Sequence, residues 1–275
     1  MRRLLSCGAV AIAMAVALVA GTPPAKAQSV LDEIKERGEL RVAGVLYRPL
    51  ISRRPNGEYV GMDVEVMKRM ADDLGVELNI INSEWATAVA GIESKKWDIV
   101  PALCITDARK EVVDFSESYI TIGATLTTSA DNDKGLTSLE SFNRPEVVFA
   151  VPGGSRSEAV AKEVAPNATM KVFGQSTSAD LIQEVIAGRA DAVVLDTPIQ
   201  TTVALDAFGD QIRIFPGHNQ PLDVKACNVG YAHMKGDEKM AEYVAEFTRN
   251  LRDSGELDKL VEQYMTAEQI SAVDE

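Results

Sequence analysis

Apolar runs of strand length alternate with segments of helical period along most of this 275-residue chain. Leu40 to Val45 reads as a first strand, and Pro55-Asn56-Gly57 marks a turn. From Asp63 to Leu74 the apolar residues Val64, Met67, Met70 and Leu74 fall on one face at helical spacing. Val76 to Ile81 is a second strand, Ala86 to Lys95 a second helix, and Asp98 to Leu103 a buried strand. A short turn carries Asp107 to Val112.

A similar set then begins again. Val147 to Val151 is a strand, a Gly-Gly-Ser turn follows, and Ser157 to Val164 is helical. Val172 lies in a further strand, Ser178 to Ala187 in a helix, and Ala192 to Leu195 in a strand. Thr197 to Phe208 is helical and Ile212 to Phe215 extended. Val229 to Ala232 is the last strand, before amphipathic helices over Glu238 to Arg252 and Glu256 to Tyr264. Strands alternating with helices predict an α/β protein with mostly parallel sheets. Two such sets joined by extended segments near 119–129 and 219–228 suggest two lobes, although the length also fits one large domain. In sheets of this kind a ligand sits beyond the carboxyl ends of the strands, here in the cleft between lobes.

The first 27 residues break the alternation. Arg2 and Arg3 precede an apolar run from Leu4 to Ala20, Pro23-Pro24 ends it, and Ala25-Lys26-Ala27 fits a small-x-small cleavage site. Seventeen residues fall short of the roughly 20 that cross a bilayer, so a cleaved export signal is expected rather than an anchor. Its loss removes three cations and takes the net charge from −13 to −16. That acidity leaves no basic face for nucleic acid or anionic lipid. Cys104 and Cys227 remain, able to pair in an oxidising compartment but too few for a disulfide scaffold. His218 and His233 lack ligand spacing, so no metal and no cofactor is expected.

Candidate chemistry is sparse. No nucleophile elbow or phosphate loop is present. Val151-Pro152-Gly153-Gly154-Ser155 closes a strand and opens a helix, so its N–H groups suit an anion, though an ordinary βα turn reads the same way. Arg109, just past a strand end, offers a planar fork for a carboxylate, or an ion pair with Asp107 or Glu111. Asp196 ends a buried strand and precedes a helix, where a plain N-cap is the simpler reading. Tyr47 and Trp85 also follow strands, as core, rim or pocket.

Taken in order, these segments form a pattern. Gly61-Met62-Asp63-Val64-Glu65, Trp85, Lys96-Trp97-Asp98, Thr106-Asp107-Ala108-Arg109, Asp114-Phe115-Ser116-Glu117-Ser118-Tyr119, Gly154-Ser155, Gly188-Arg189-Ala190-Asp191, Asp196-Thr197-Pro198 and Val229-Gly230-Tyr231 span nearly the whole mature chain. The sequence resembles the family 3 extracellular solute-binding proteins, polar-amino-acid receptors of ABC importers. The resemblance implies a two-lobed periplasmic-binding-protein fold of type II with a two-segment hinge, one lobe from residues 28–122 and 224–275 and the other from 123–223. It implies that Arg109 binds a ligand α-carboxylate, assisted at Ala102 and Cys104 and by the turn at Ser155-Arg156, and that Asp196 binds the α-ammonium. Tyr47 and Trp85 would sandwich the ligand side chain. Family members often carry a hydroxyl residue where Cys104 stands; a free thiol or an undetermined state is favoured over a bridge to Cys227. The implied role is a monomeric periplasmic carrier that captures an amino acid or close analogue for a membrane permease, without nucleic acid or membrane insertion. The alternative is a cyclohexadienyl or arogenate dehydratase on the same fold.

Overall fold

A computed structural model describes residues 28–265 apart from 198, 218, 219 and 225, and without the side chains of 199–203 and 265. The expected export signal and His218 lie outside the described residues.

The chain opens with α1 (Val30–Arg37), β1 (Glu39–Val45), a short hairpin of β2 (Ser52–Arg53) and β3 (Tyr59–Val60), α2 (Met62–Leu74), β4 (Glu77–Ser83), α3 (Trp85–Glu93), β5 (Ile99–Cys104), the single turn α4 (Asp107–Lys110) and β6 (Val113–Phe115). It continues through β7 (Ile120–Ser129), α5 (Leu139–Phe142), β8 (Val148–Pro152), α6 (Arg156–Val164), β9 (Thr169–Phe173), α7 (Ser178–Ile186) and β10 (Ala192–Thr197). It ends with α8 (Ile199–Phe208), β11 (Ile212–Phe215), β12 (Cys227–Met234), α9 (Glu238–Asp253) and α10 (Glu256–Met265).

The strands run in the order β4-β1-β5-β12-β7-β10-β8-β9, with β6 added on β12 and β11 on β7. Each half contains a parallel trio, β4-β1-β5 in one and β10-β8-β9 in the other. Between them lie β12 and β7, antiparallel to their neighbours. β7 serves both halves: Ile120 to Ile122 pair with β12, and Gly123 to Thr127 pair with β10.

Each half has its own core. In the first, α2 buries Met62, Val66, Met67 and Met70 beneath β1 and β5. In the second, Phe142, Phe149, Val160 and Ala161 pack with Leu126 and Val194. Every residue of β5 and of β10 is buried, as expected of central strands covered on both faces. The elements absent from the sequence reading are α1, the β2–β3 hairpin, β6 and α5.

Candidate functional site

Strand ends deliver the side chains of the site. β1 runs out into Leu46 and Tyr47, β5 into Cys104, and β10 carries Asp196 as its penultimate residue. Thr106 caps α4 by accepting from the Arg109 N–H at 3.2 Å, which sets Arg109 on the far side of that single turn. Beyond β8, Gly153 and Gly154 lead to Ser155, whose hydroxyl caps α6, and Arg156 is the first helical residue. These residues converge on a cavity of about 40 Å³ between the halves, lined by Tyr47, Trp85, Ala102, Cys104, Arg109, Ser155, Arg156 and Asp196 among others. All eight residues expected from the sequence are therefore brought together. Ser157, Ser176, Ser178 and Leu181 line it as well. None of the four carried a signal, since a serine near a helix start reads simply as capping and Leu181 as part of the apolar face of α7. A second cavity of about 210 Å³ adjoins the first past Leu46 and Tyr47, lined by Ile51, Ile182 and Phe208 with Arg48 and Arg53 at its side.

The electrostatics centre on Asp196. Arg156 donates to its Oδ1 at 2.6 Å, and the Tyr47 hydroxyl donates to Oδ2 at 2.8 Å. Burial pushes the Asp196 carboxyl up from its ordinary range, and the Arg156 charge opposes that shift. Arg156 also donates to the Gly123 carbonyl at 3.1 Å. Arg109 is held by two carbonyls, Cys104 at 2.9 Å and Gly154 at 3.3 Å, and burial lowers its pKa.

Hydrogen bonds among the described residues bridge the halves here, from Tyr47 to Asp196, from Arg109 to Gly154, and from Gln175 to Asn82 at 2.7 Å. The halves meet closely. Gly154 sits at φ +71°, and a Cβ there would lie 2.7 Å from the Ala86 Cα at the start of α3. Only glycine lets the turn approach α3 in this way.

Three expectations change. Cys104 and Cys227 form a disulfide rather than remaining free, so Cys104 presents no thiol to a ligand. Antiparallel pairing of β5 with β12 brings their Cα atoms to 5.6 Å, within disulfide reach, across 123 residues of sequence. Tyr47 and Trp85 do not flank a gap: their centroids are 5.9 Å apart at an interplanar angle of 84°, an edge-to-face contact. The Tyr47 hydroxyl is at the same time anchored on Asp196. The Ser155 hydroxyl donates to Pro152 O at 2.7 Å and accepts from Glu158 N, so it serves the fold first.

Behind the cavity lies a buried relay. Ala102 adopts a left-handed φ of +56°, unusual for a residue with a Cβ. Its N–H donates to the Tyr119 hydroxyl at 3.2 Å, which donates to Asp63 Oδ2 at 2.6 Å. Tyr119 stacks on Tyr231 at 4.4 Å, and Asp63 is fully buried at the start of α2. Burial pushes the Asp63 carboxyl up to about 7, against an ordinary 3.8, despite the opposing hydrogen bond from Tyr119. With the folded pKa raised, the folded state holds the proton more tightly than the unfolded chain. The stability this gives is complete below the unfolded value and is lost as pH rises through about 7. Asp63→Asn should flatten that dependence: between pH 5 and pH 8 the wild type should lose roughly 2 kcal/mol more stability than the variant. Urea denaturation at the two pH values measures it, and equal losses would refute the assignment.

The sequence profile of the bacterial extracellular solute-binding proteins, family 3, matches residues 40–267. This chain belongs to that family. Among family 3 relatives, it is 26% identical to the cyclohexadienyl dehydratase of Pseudomonas aeruginosa over 91% of each chain. It is 27% identical to the arginine-binding extracellular protein ArtP of Bacillus subtilis, over 81% of this chain and 84% of that one. The crystal structure of an ancestral amino acid-binding protein, described as a precursor of cyclohexadienyl dehydratase, superposes with a TM-score of 0.75 at 34% identity. That superposition covers 87% of this chain and all of the other. The two-lobed architecture of these amino acid-binding structures is the architecture of this chain.

Proposed function

We propose that this family 3 protein is a periplasmic carrier that captures an amino acid or close analogue between its lobes and delivers it to the permease of an ABC importer. The division proposed is residues 28–122 and 224–275 for one lobe and 123–223 for the other. The change of partner along β7 between Ile122 and Gly123 supports the first boundary. Periplasmic location rests on the export signal read over residues 1–27, and the carrier acts as a monomer.

One observation carries this reading. Arg109, with a fork suited to a carboxylate, lines the same cavity as Asp196 and the first turn of α6, where a helix N-terminus carries partial positive charge. Calorimetry with the twenty amino acids and their 2-oxo analogues should find a ligand with submillimolar Kd. Native mass spectrometry of protein purified with its ligand should give the same mass. Failure of every compound to bind would overturn the proposal.

The likeness to a cyclohexadienyl dehydratase favours a second reading, as an enzyme. A dehydratase needs a general acid in the cleft. The carboxyl available among the described cavity residues is Asp196; burial raises its pKa, but both its oxygens are already taken, by Arg156 at 2.6 Å and by the Tyr47 hydroxyl at 2.8 Å, which weighs for binding. Appearance of product from prephenate or arogenate on mixing with purified protein would move the assignment to the enzyme.

A further inference from the structure

We propose that the ligand of this cleft is a carboxylate without an ammonium group, a 2-oxo acid or similar organic anion, because Arg156 already neutralises the carboxylate that would receive an ammonium. The inference rests on the binding reading above and narrows its ligand class.

Among the described residues that line the cavity, the charged side chains are Arg109, Arg156 and Asp196. Arg156 sits 2.6 Å from Asp196 Oδ1 with its side chain 11% exposed, and Tyr47 takes Oδ2. One cation and one anion cancel, leaving the Arg109 charge as the surplus. A monocarboxylate balances it. A zwitterionic amino acid brings no net charge and leaves the cavity positive, and its ammonium would approach Asp196 beside a guanidinium of like sign. Buried charges are stable when paired, so the anion is the better fit. Arg156 is also tied to the Gly123 carbonyl, so moving it aside would break a second contact.

The backbone adds to the bias. α6 and α7 both start at the cavity, with Arg156 and Ser178 in their first turns, and helix N-termini carry partial positive charge. The Ser176 hydroxyl, buried there without a hydrogen-bond partner among the described residues, is a further donor for an oxygen-rich ligand. A 2-oxo acid presents carboxylate and carbonyl oxygens, acceptors throughout.

Calorimetry on the full mature protein with matched pairs tests this: pyruvate against alanine, 2-oxoglutarate against glutamate, phenylpyruvate against phenylalanine. The 2-oxo acid of the best-binding pair should bind at least about tenfold more tightly than its amino acid. Arg156→Gln removes the competing cation and should shift that ratio at least about tenfold toward the amino acid, whereas Arg156→Lys should keep the anion preference. Thermal melts establish that the variants fold. Tighter binding of the amino acids by wild type overturns this inference alone. Binding of neither series overturns the carrier reading, and this inference with it. An unchanged ratio in a folded Arg156→Gln overturns the role given to Arg156.

Discussion

Arg109→Ala should raise the ligand Kd by about 100-fold or more while leaving the protein folded. A hydrogen bond to a charged group contributes roughly 1.5–3 kcal/mol, and 100-fold corresponds to about 2.7 kcal/mol, so loss of one well-made contact suffices. The same guanidinium bonds the Gly154 carbonyl across the cleft, so its removal also loosens closure. Neither anchoring carbonyl depends on Arg109 for its place in the fold: Cys104 ends a fully buried strand, and Gly154 belongs to the turn that feeds α6. Arg109→Lys keeps the charge but not the planar fork and should fall between wild type and alanine. Calorimetry with the best ligand decides, beside a melting curve. A folded Arg109→Ala that binds like wild type would remove Arg109 from the site.

The second large effect is on stability. The Cys104–Cys227 bridge closes a loop spanning 123 residues of sequence, which takes in the whole second half of the fold. Cross-linking so long a loop restricts the unfolded chain, and for loops near this length the entropic contribution is about 4–5 kcal/mol. The double variant Cys104→Ala, Cys227→Ala should therefore lose about that much, seen as a drop in Tm of roughly 10 °C for a chain of this size. Wild type heated under strong reductant should melt like the double variant. A difference between oxidised and reduced protein smaller than about 2 °C would show that the bridge contributes little.

Much of the fold was legible because its signals are periodic. The face of Val64, Met67 and Met70 is buried as its spacing predicts, and the unbroken apolar run at the end of β5 is buried on both sides. What escaped was short or non-local. β2, β3 and β6 span two or three residues each, too few to show a period. α1 did leave a signal that went unread: Ser29 as N-cap, Val30 and Ile34 four apart and buried, and Gly38 at the left-handed C-cap.

The site divides similarly. The membership of Tyr47, Trp85, Ala102, Cys104, Arg109, Ser155, Arg156 and Asp196 was implied by the family resemblance, and the cavity gathers them all. Their partners were not legible. That Arg156 grips Asp196 depends on two βα units packing side by side, 40 residues apart. The disulfide depends on a strand pairing between distant segments, which no spacing rule reveals. Asp63 stood in a recognisable motif, but a carboxylate at a helix start reads as a favourable charge on the helix dipole. Its full burial against Tyr119 shows only in three dimensions.

The position of β12 has a consequence for how the molecule is made. This strand lies between β5 and β7, in the middle of the first half, yet it is the last strand among the described residues. The second half is contiguous and can complete its sheet while the first still waits for its centre. As the chain emerges from the ribosome, β1, β4 and β5 are left without the neighbour that joins them to β7 until residues beyond Cys227 follow. Pairing at such separation is slow relative to local structure. The first half thus stays unfinished until long after the second half has been made.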